Sequence, residues 1–207
     1  AAIHGDELNG VEIIRRLLAQ KSLRRLAGCL VAVPVVNVHG FLAQSRYLPD
    51  RRDLNRSFPG SARGSVASRL ADTFSREIIS RCDYGIDFHT GALHRSNLPQ
   101  IRADLDDPRT RELAGEFNVP VLINAKLRDG SLREHAAGMG IPMLLYEAGE
   151  ALRFDETAIR AGLRGLLNVM RKPELLPSPE SRSPHIAPPV ARSKRRLPAA
   201  SAGGARP

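Results

Sequence analysis

The sequence predicts an α/β protein, and three observations carry that expectation. Short apolar, β-branched runs alternate with stretches whose apolar residues recur at helical spacing. Histidine or glutamate directly follows three of the strand-like runs, at His4, His89 and Glu147, and open α/β sheets bind ligands beyond the carboxyl ends of their strands. A chain of 207 residues that is 42% hydrophobic can also form one core of ordinary size.

Ala1-Ala2-Ile3 reads as the end of a buried strand whose earlier part is absent. Leu8, Val11, Ile14, Leu17 and Leu18 then mark an amphipathic helix ending near Ser22. The β-branched run from Gly28 to Val36 is expected to be a strand covered on both faces. Val38 to Gly64 is rich in Arg, Asp, Asn, Pro and Gly and has no sustained period, so it reads as a long functional loop. Val66, Leu70, Phe74 and Ile78 fall four apart and predict a helix over Ser65 to Ser80, and Tyr84 to Phe88 is a brief strand delivering His89. A helix around Arg109 to Phe117 leads into a strand at Val119 to Ile123. Ser131 with Glu134 three residues later is a capping box, opening a helix to Met139. Ile141 to Tyr146 is a strand that ends at Glu147, and the last helix, Glu156 to Arg171, carries Ile159, Leu163, Leu166, Leu167 and Met170 on one face.

Composition bounds the function. The net charge is +9, but from Pro177 to Pro207 six basic residues stand against one acidic residue, so more than half of the excess lies there. That segment also holds seven of the fifteen prolines and few large apolar residues, too little burial to offset its ordering entropy. The expected organisation is one domain over residues 1–176 and a disordered basic tail over 177–207. The run Lys194-Arg195-Arg196 reads as solvated charge, and 4% aromatic residues supply no base-stacking platform, so no specific nucleic-acid partner is expected. No run approaches the ~18 apolar residues of a membrane span. The default compartment is the cytoplasm, with which two cysteines fifty-three positions apart agree.

His4-Gly5-Asp6-Glu7 and, some eighty residues later, Asp87-Phe88-His89-Thr90 offer two imidazoles and a carboxylate. Three protein ligands with a fourth position open is the arrangement of catalytic zinc, and two cysteines are too few for a closed cysteine site. Asp87 either orients His89 through its second ring nitrogen or caps the sheet. Of the two nearby carboxylates, Glu147 stands at the strand end and Glu150 is read as solvated. His39, His94 and His135 have no motif around them and read as surface residues or residues beside the ligands.

Four ordered motifs, His4-Gly5-Asp6-Glu7-Leu8-Asn9-Gly10, Asp53-Leu54-Asn55-Arg56, Asp87-Phe88-His89-Thr90-Gly91 and Tyr146-Glu147-Ala148-Gly149, resemble the succinylglutamate desuccinylase and aspartoacylase family of zinc carboxypeptidase-like hydrolases over about Ala1 to Pro177. The resemblance implies a three-layer fold, a mixed and mainly parallel sheet with helices on both faces. It implies that His4, Glu7 and His89 bind one zinc ion (Zn2+) and that Glu147 is the catalytic base and acid. Asn55 and Arg56 match the pair that grips the substrate carboxylate. Arg46 resembles an upstream arginine with a spacing two residues too long, so Arg51 or Arg52 is its alternative, and Arg133 is a weaker analogue of a second substrate arginine. The implied substrate is a small N-acyl amino acid, with peptide carboxypeptidase action or noncatalytic metal binding as alternatives. Family members carry further strands before the first motif and a β-rich domain after the glutamate, so the chain is expected to be truncated at both ends, with an exposed sheet edge.

Overall fold

The computed structural model describes residues 1–172, 175–177 and 188–192. In chain order the helices are α1 (Asn9–Leu18), α2 (Val38–Leu42), α3 (Val66–Glu77), α4 (Pro108–Phe117), α5 (Leu132–Gly138) and α6 (Glu156–Arg171). The strands are β1 (Gly85–Gly91), β2 (Asn97–Ala103), β3 (Val121–Asn124), β4 (Met143–Glu150) and β5 (Val190–Arg192), arranged β1-β4-β2-β3-β5. The β1/β4, β2/β3 and β3/β5 pairs are parallel and β2/β4 is antiparallel. The sheet is thus mixed and mainly parallel.

Strand alternation sorts the side chains into two cores. Phe88, Ile101, Leu144 and Tyr146 face α1, α4 and α6, where Ile13, Leu17, Phe117, Ile159 and Val169 complete the first core. Met143 faces the other way and joins Ile3, Leu54 and Phe58 with Ala67 and Ala71 of α3 and Leu132 and Ala136 of α5. Helices therefore cover both faces, as the three-layer expectation requires. The Tyr146 hydroxyl, buried in the first core, donates to the Ala158 carbonyl at 2.6 Å.

The helix starts follow local chemistry. Ser65, Asp107, Ser131 and Asp155 accept hydrogen bonds from backbone N–H groups of the first turns of α3, α4, α5 and α6. Glu134 reaches back to the N–H of Gly130 at 2.7 Å, one residue before the position a standard capping box would use. On α6 the buried stripe runs through Ala158, Ile159, Gly162, Gly165, Leu166, Val169 and Met170, so two glycines lie where α1 and α4 pack, while Leu163 and Leu167 are half-buried.

The departures from the sequence reading have physical causes, and one of them is that Ala1 to Ile3 form no strand, so His4 stands in a turn rather than at a strand end. Residues 28–36 form no strand: Ala1 donates to Val33 O at 2.9 Å and accepts from Val36 N, but no described strand pairs with the run and Val31 is 50% exposed. Apolar composition marks a strand only where a partner supplies the ladder. Strand β2 was not anticipated because Pro99 and Arg102 interrupt its pattern, and β5 falls within the segment read as disordered. Of that segment, residues 178–187 and 193–207 lie outside the described residues. The Val38 to Gly64 loop contains α2 and a 3₁₀ turn at Leu54–Arg56. Among the described residues no helix is long and apolar enough to cross a membrane.

Candidate active site

His4 and Glu7 lie in the turn that precedes α1, closed by Glu7 N–H to His4 O at 3.2 Å. A Cβ at Gly5 would overlap the Gly40 backbone of α2. Glycine is thus required here by close approach of two segments rather than by an unusual turn angle. His89 is supplied by β1, and the Thr90 N–H beside it donates to Glu7 Oε2 at 3.2 Å.

His4, Glu7 and His89 are all buried, and one donor atom from each lies within 4.8 Å of the others. Glu7 Oε1 is 2.9 Å from His4 Nδ1 and its Oε2 is 2.7 Å from His89 Nδ1. The far ring nitrogens have carboxylate partners: His4 Nε2 lies 3.1 Å from Asp53 Oδ1 and His89 Nε2 lies 2.6 Å from Asp87 Oδ2. A proton held on Nε2 by a carboxylate leaves the Nδ1 lone pair for a metal. The donor set of two Nδ1 atoms and one carboxylate, each oriented from behind, fits one zinc ion with a position left open. Asp6 adds a further carboxylate oxygen, Oδ1, buried without a hydrogen-bond partner.

The metal-free cluster is strongly polarised. Burial opposes the charged form of His89, but Asp87 and Glu7 outweigh it and raise its pKa well above the ordinary 6.5. His4 is raised in the same way, with Glu7 and Asp53 overcoming burial. Burial would raise Glu7, yet His89 and His4 pull it down to about 2. Asp53 also lies below the carboxylate range, because His4 and then Arg46 overcome its desolvation. Asp6 moves the other way, raised by burial and by the neighbouring Glu7.

The β1–β4 register pairs His89 with Glu147, so their side chains share a face of the sheet. Glu147 lies inside β4, which continues to Glu150, rather than at the strand end. Its Oε1 accepts from Asn97 Nδ2 at 2.7 Å. Its Oε2 lies 2.7 Å from Arg102 Nε, an ion pair whose N–H is too far off line to count as a hydrogen bond. Glu150 accepts the His94 backbone N–H at 2.8 Å and faces Arg153.

The other candidates are dispersed. Arg46 joins the cluster, with Nη2 3.0 Å from Asp53 Oδ2 and Nη1 3.4 Å from Glu7 Oε1. Asn55 is buried, and its Oδ1 accepts the Leu132 N–H at the start of α5 at 2.9 Å. Arg56 is exposed and bonds the Asn55 carbonyl. Arg51 and Arg52 are exposed, the Arg52 backbone N–H resting on Asp50 at 3.3 Å. Arg133 is buried, with its guanidinium 3.3 Å from the Ala125 and Lys126 carbonyls. His135 contacts Ser75 and stacks on Phe58, while His39 sits exposed on α2. Sequence reasoning assigned no role to Asp53, Asn97 or Arg102. Asp53 lay in a motif already quoted, but Arg102 carried only a four-residue alternation, Gln100 to Ala103, as a signal, and Asn97 precedes it without one.

The model of the succinylglutamate desuccinylase/aspartoacylase catalytic domain matches residues 1–172. An N-alpha-acetyl-L-2,4-diaminobutyric acid deacetylase of Halomonas elongata is 33% identical over 126 residues, 58% of this chain and 37% of that protein. The product-bound ectoine utilization protein EutE (DoeB) of Ruegeria pomeroyi superposes with a TM-score of 0.80 at 28% identity, over 93% of this chain and 60% of that one. A succinylglutamate desuccinylase/aspartoacylase of Rhodobacter sphaeroides gives 0.80 at 27% identity, over 93% and 59%. The chain thus spans about 60% of the length of these solved relatives. With the family pattern matched from residue 1 to the end of α6, the chain belongs to the succinylglutamate desuccinylase/aspartoacylase catalytic-domain family.

Proposed function

We propose that this chain is the catalytic part of a zinc-dependent hydrolase that cleaves the amide bond of a small N-acyl amino acid. The observation that carries the reading is the buried His4, Glu7 and His89 cluster, with Glu147 beside it across the β1–β4 register. The relatives named for deacylation of small amides support the reaction class. Residues 1–176 form the catalytic unit in this reading, and the two free cysteines suit a reducing compartment such as the cytoplasm.

Zinc held by His4, Glu7 and His89 would supply Lewis acidity, polarising the scissile carbonyl and making a water easier to deprotonate. The remaining work falls to the chain. Asp53 and Asp87 keep both imidazoles in the tautomer that offers Nδ1. Glu147 takes the proton of the attacking water and then returns it to the amide nitrogen as the C–N bond breaks, so the carboxylate ends as it began. Arg46 and the Asn55–Arg56 pair are assigned to the substrate carboxylate, which a planar guanidinium meets with two parallel hydrogen bonds. Arg52, exposed, and Arg133, whose guanidinium faces the Ala125 and Lys126 carbonyls, are assigned to the substrate as further arginines.

Elemental analysis of the purified chain is expected to find one equivalent of zinc that is lost in His89→Ala. Assays on N-acyl amino acids, beginning with N-alpha-acetyl-L-2,4-diaminobutyrate, are expected to show turnover that falls about 10²–10⁴-fold in Glu147→Gln with zinc retained. Well-folded protein without zinc, or full activity in Glu147→Gln, would overturn the reading.

A further inference from the structure

Both groups that hold Glu147 come from β2, five residues apart, and a regular strand cannot present such a pair to one carboxylate. Successive residues of a strand face opposite sides of the sheet, so positions an odd number apart diverge. Here β2 gains a residue against β4: Asn97 pairs with Gly149 and Gln100 with Glu147, three steps on one strand against two on the other. The extra residue falls in Leu98-Pro99, where proline lacks the N–H a ladder would use and Leu98 turns 61% exposed. Beyond this bulge Gln100 stands opposite Glu147, and Arg102 becomes its diagonal neighbour on the same face. One oxygen of Glu147 then meets Asn97 Nδ2 and the other meets Arg102 Nε, each at 2.7 Å.

We propose that this bulged strand is a positioning clamp, in which Arg102, seconded by Asn97, holds the Glu147 carboxylate in the orientation from which it takes and returns a proton. The proposal rests on the reading of Glu147 as the acid–base group. The terminal torsion of a glutamate is broad and roughly two-fold, so packing along the stem does not set the carboxylate plane; partners on both oxygens do. Asn97 is neutral and Arg102 charged, so the charge attraction is supplied by Arg102 alone. Its N–H lies off the line to Oε2, which makes charge rather than a fixed fork the main attraction.

The test uses the full zinc-loaded chain with Arg102→Gln, Arg102→Lys and Asn97→Ala. Arg102→Gln is expected to lower kcat by about tenfold or more, with KM within about twofold, as loss of orientation rather than of binding requires. Zinc content stays unchanged, Arg102→Lys recovers most of the loss, and Asn97→Ala shows a smaller fall in kcat. Crystal structures provide a readout that needs no turnover: Glu147 takes one orientation in the parent chain and several in Arg102→Gln. An unmoved Glu147 in that variant, a raised KM with kcat kept, or no recovery with lysine overturns the clamp. If the parent chain itself turns over nothing, the hydrolase reading fails on its own and the crystallographic comparison still decides the clamp.

Discussion

His89 Nε2 lies 2.6 Å from a buried Asp87, and that pair sets how the Nδ1 side of the ring behaves. Asp87→Asn keeps the shape but removes the charge that fixes the tautomer. Zinc affinity in this variant is expected to fall about 10–100-fold, measured by competition with a chelator. The same residues predict opposite pH trends for the empty and loaded protein. His89 and His4 have raised pKa values, so their stabilisation is complete below 6.5 and is lost as pH rises through the raised values. Glu7, lowered from 4.5 to about 2, stabilises above 4.5 and loses that contribution as pH falls towards about 2. The metal-free chain should therefore melt at a lower temperature at pH 8 than at pH 6. Zinc must displace the imidazole protons, so its affinity should climb over the same interval. A melting temperature that rises from pH 6 to 8 in metal-free protein would contradict the charged imidazole pair. At this scale the sequence displayed the candidate ligands and offered Asp87 as the partner of His89, but not Asp53 as that of His4, because Asp53 reaches His4 only through the loop that carries it across the fold.

The glycines of α6 show what a helix pattern conceals. Periodicity placed Leu163 and Leu167 on the apolar face, whereas Gly162 and Gly165 are the buried positions, since Ile13, Phe117 and Tyr146 occupy the space that side chains there would need. Alanine is about 1 kcal/mol better than glycine in a helix interior, but overpacking a close-fitted site costs about 1–3 kcal/mol. Gly165→Ala, whose Cβ would meet the Phe117 ring, is therefore expected to lower stability in denaturant titration. Gly138→Ala at the exposed end of α5, where a Cβ meets nothing within 4 Å, is expected to hold or raise it. Equal effects of the two substitutions would mean that α6 can shift away from Phe117. The starts of α3, α5 and α6 were legible because the caps Ser65, Ser131 and Asp155 act within one turn. The depth at which each face is buried depends on α1 and α4, far away in sequence.

Across the whole molecule, β1 is an edge strand of the described sheet, with β4 as its strand neighbour. Along that edge runs a cleft of about 750 Å³ between residues 28–33 and β1, lined by Ile14, Val33, Phe74, Ile78, Tyr84 and Ile86 among others. An unpaired strand edge beside an apolar cleft is a template for another strand. The chain as it stands is expected to self-associate with rising concentration in sedimentation velocity, and a monomer at all concentrations would refute this. The same geometry explains why residues 28–36, with a strand-like composition, form none: β-branched residues favour a sheet only when a neighbouring backbone completes the ladder.

The sequence by itself determined the five longer helices, the α/β class and the residues that could hold a metal ion, because caps, periodicity and ligand chemistry are local properties. Tertiary structure alone decided that Asp53 backs His4, that Arg46 joins the cluster while Arg52 stays exposed, and that Asn97 and Arg102 converge on Glu147. Each of these depends on strand register, on one extra residue in β2 or on the path of a long loop. Such contacts form between segments tens of residues apart, and no local pattern in the chain encodes their distance.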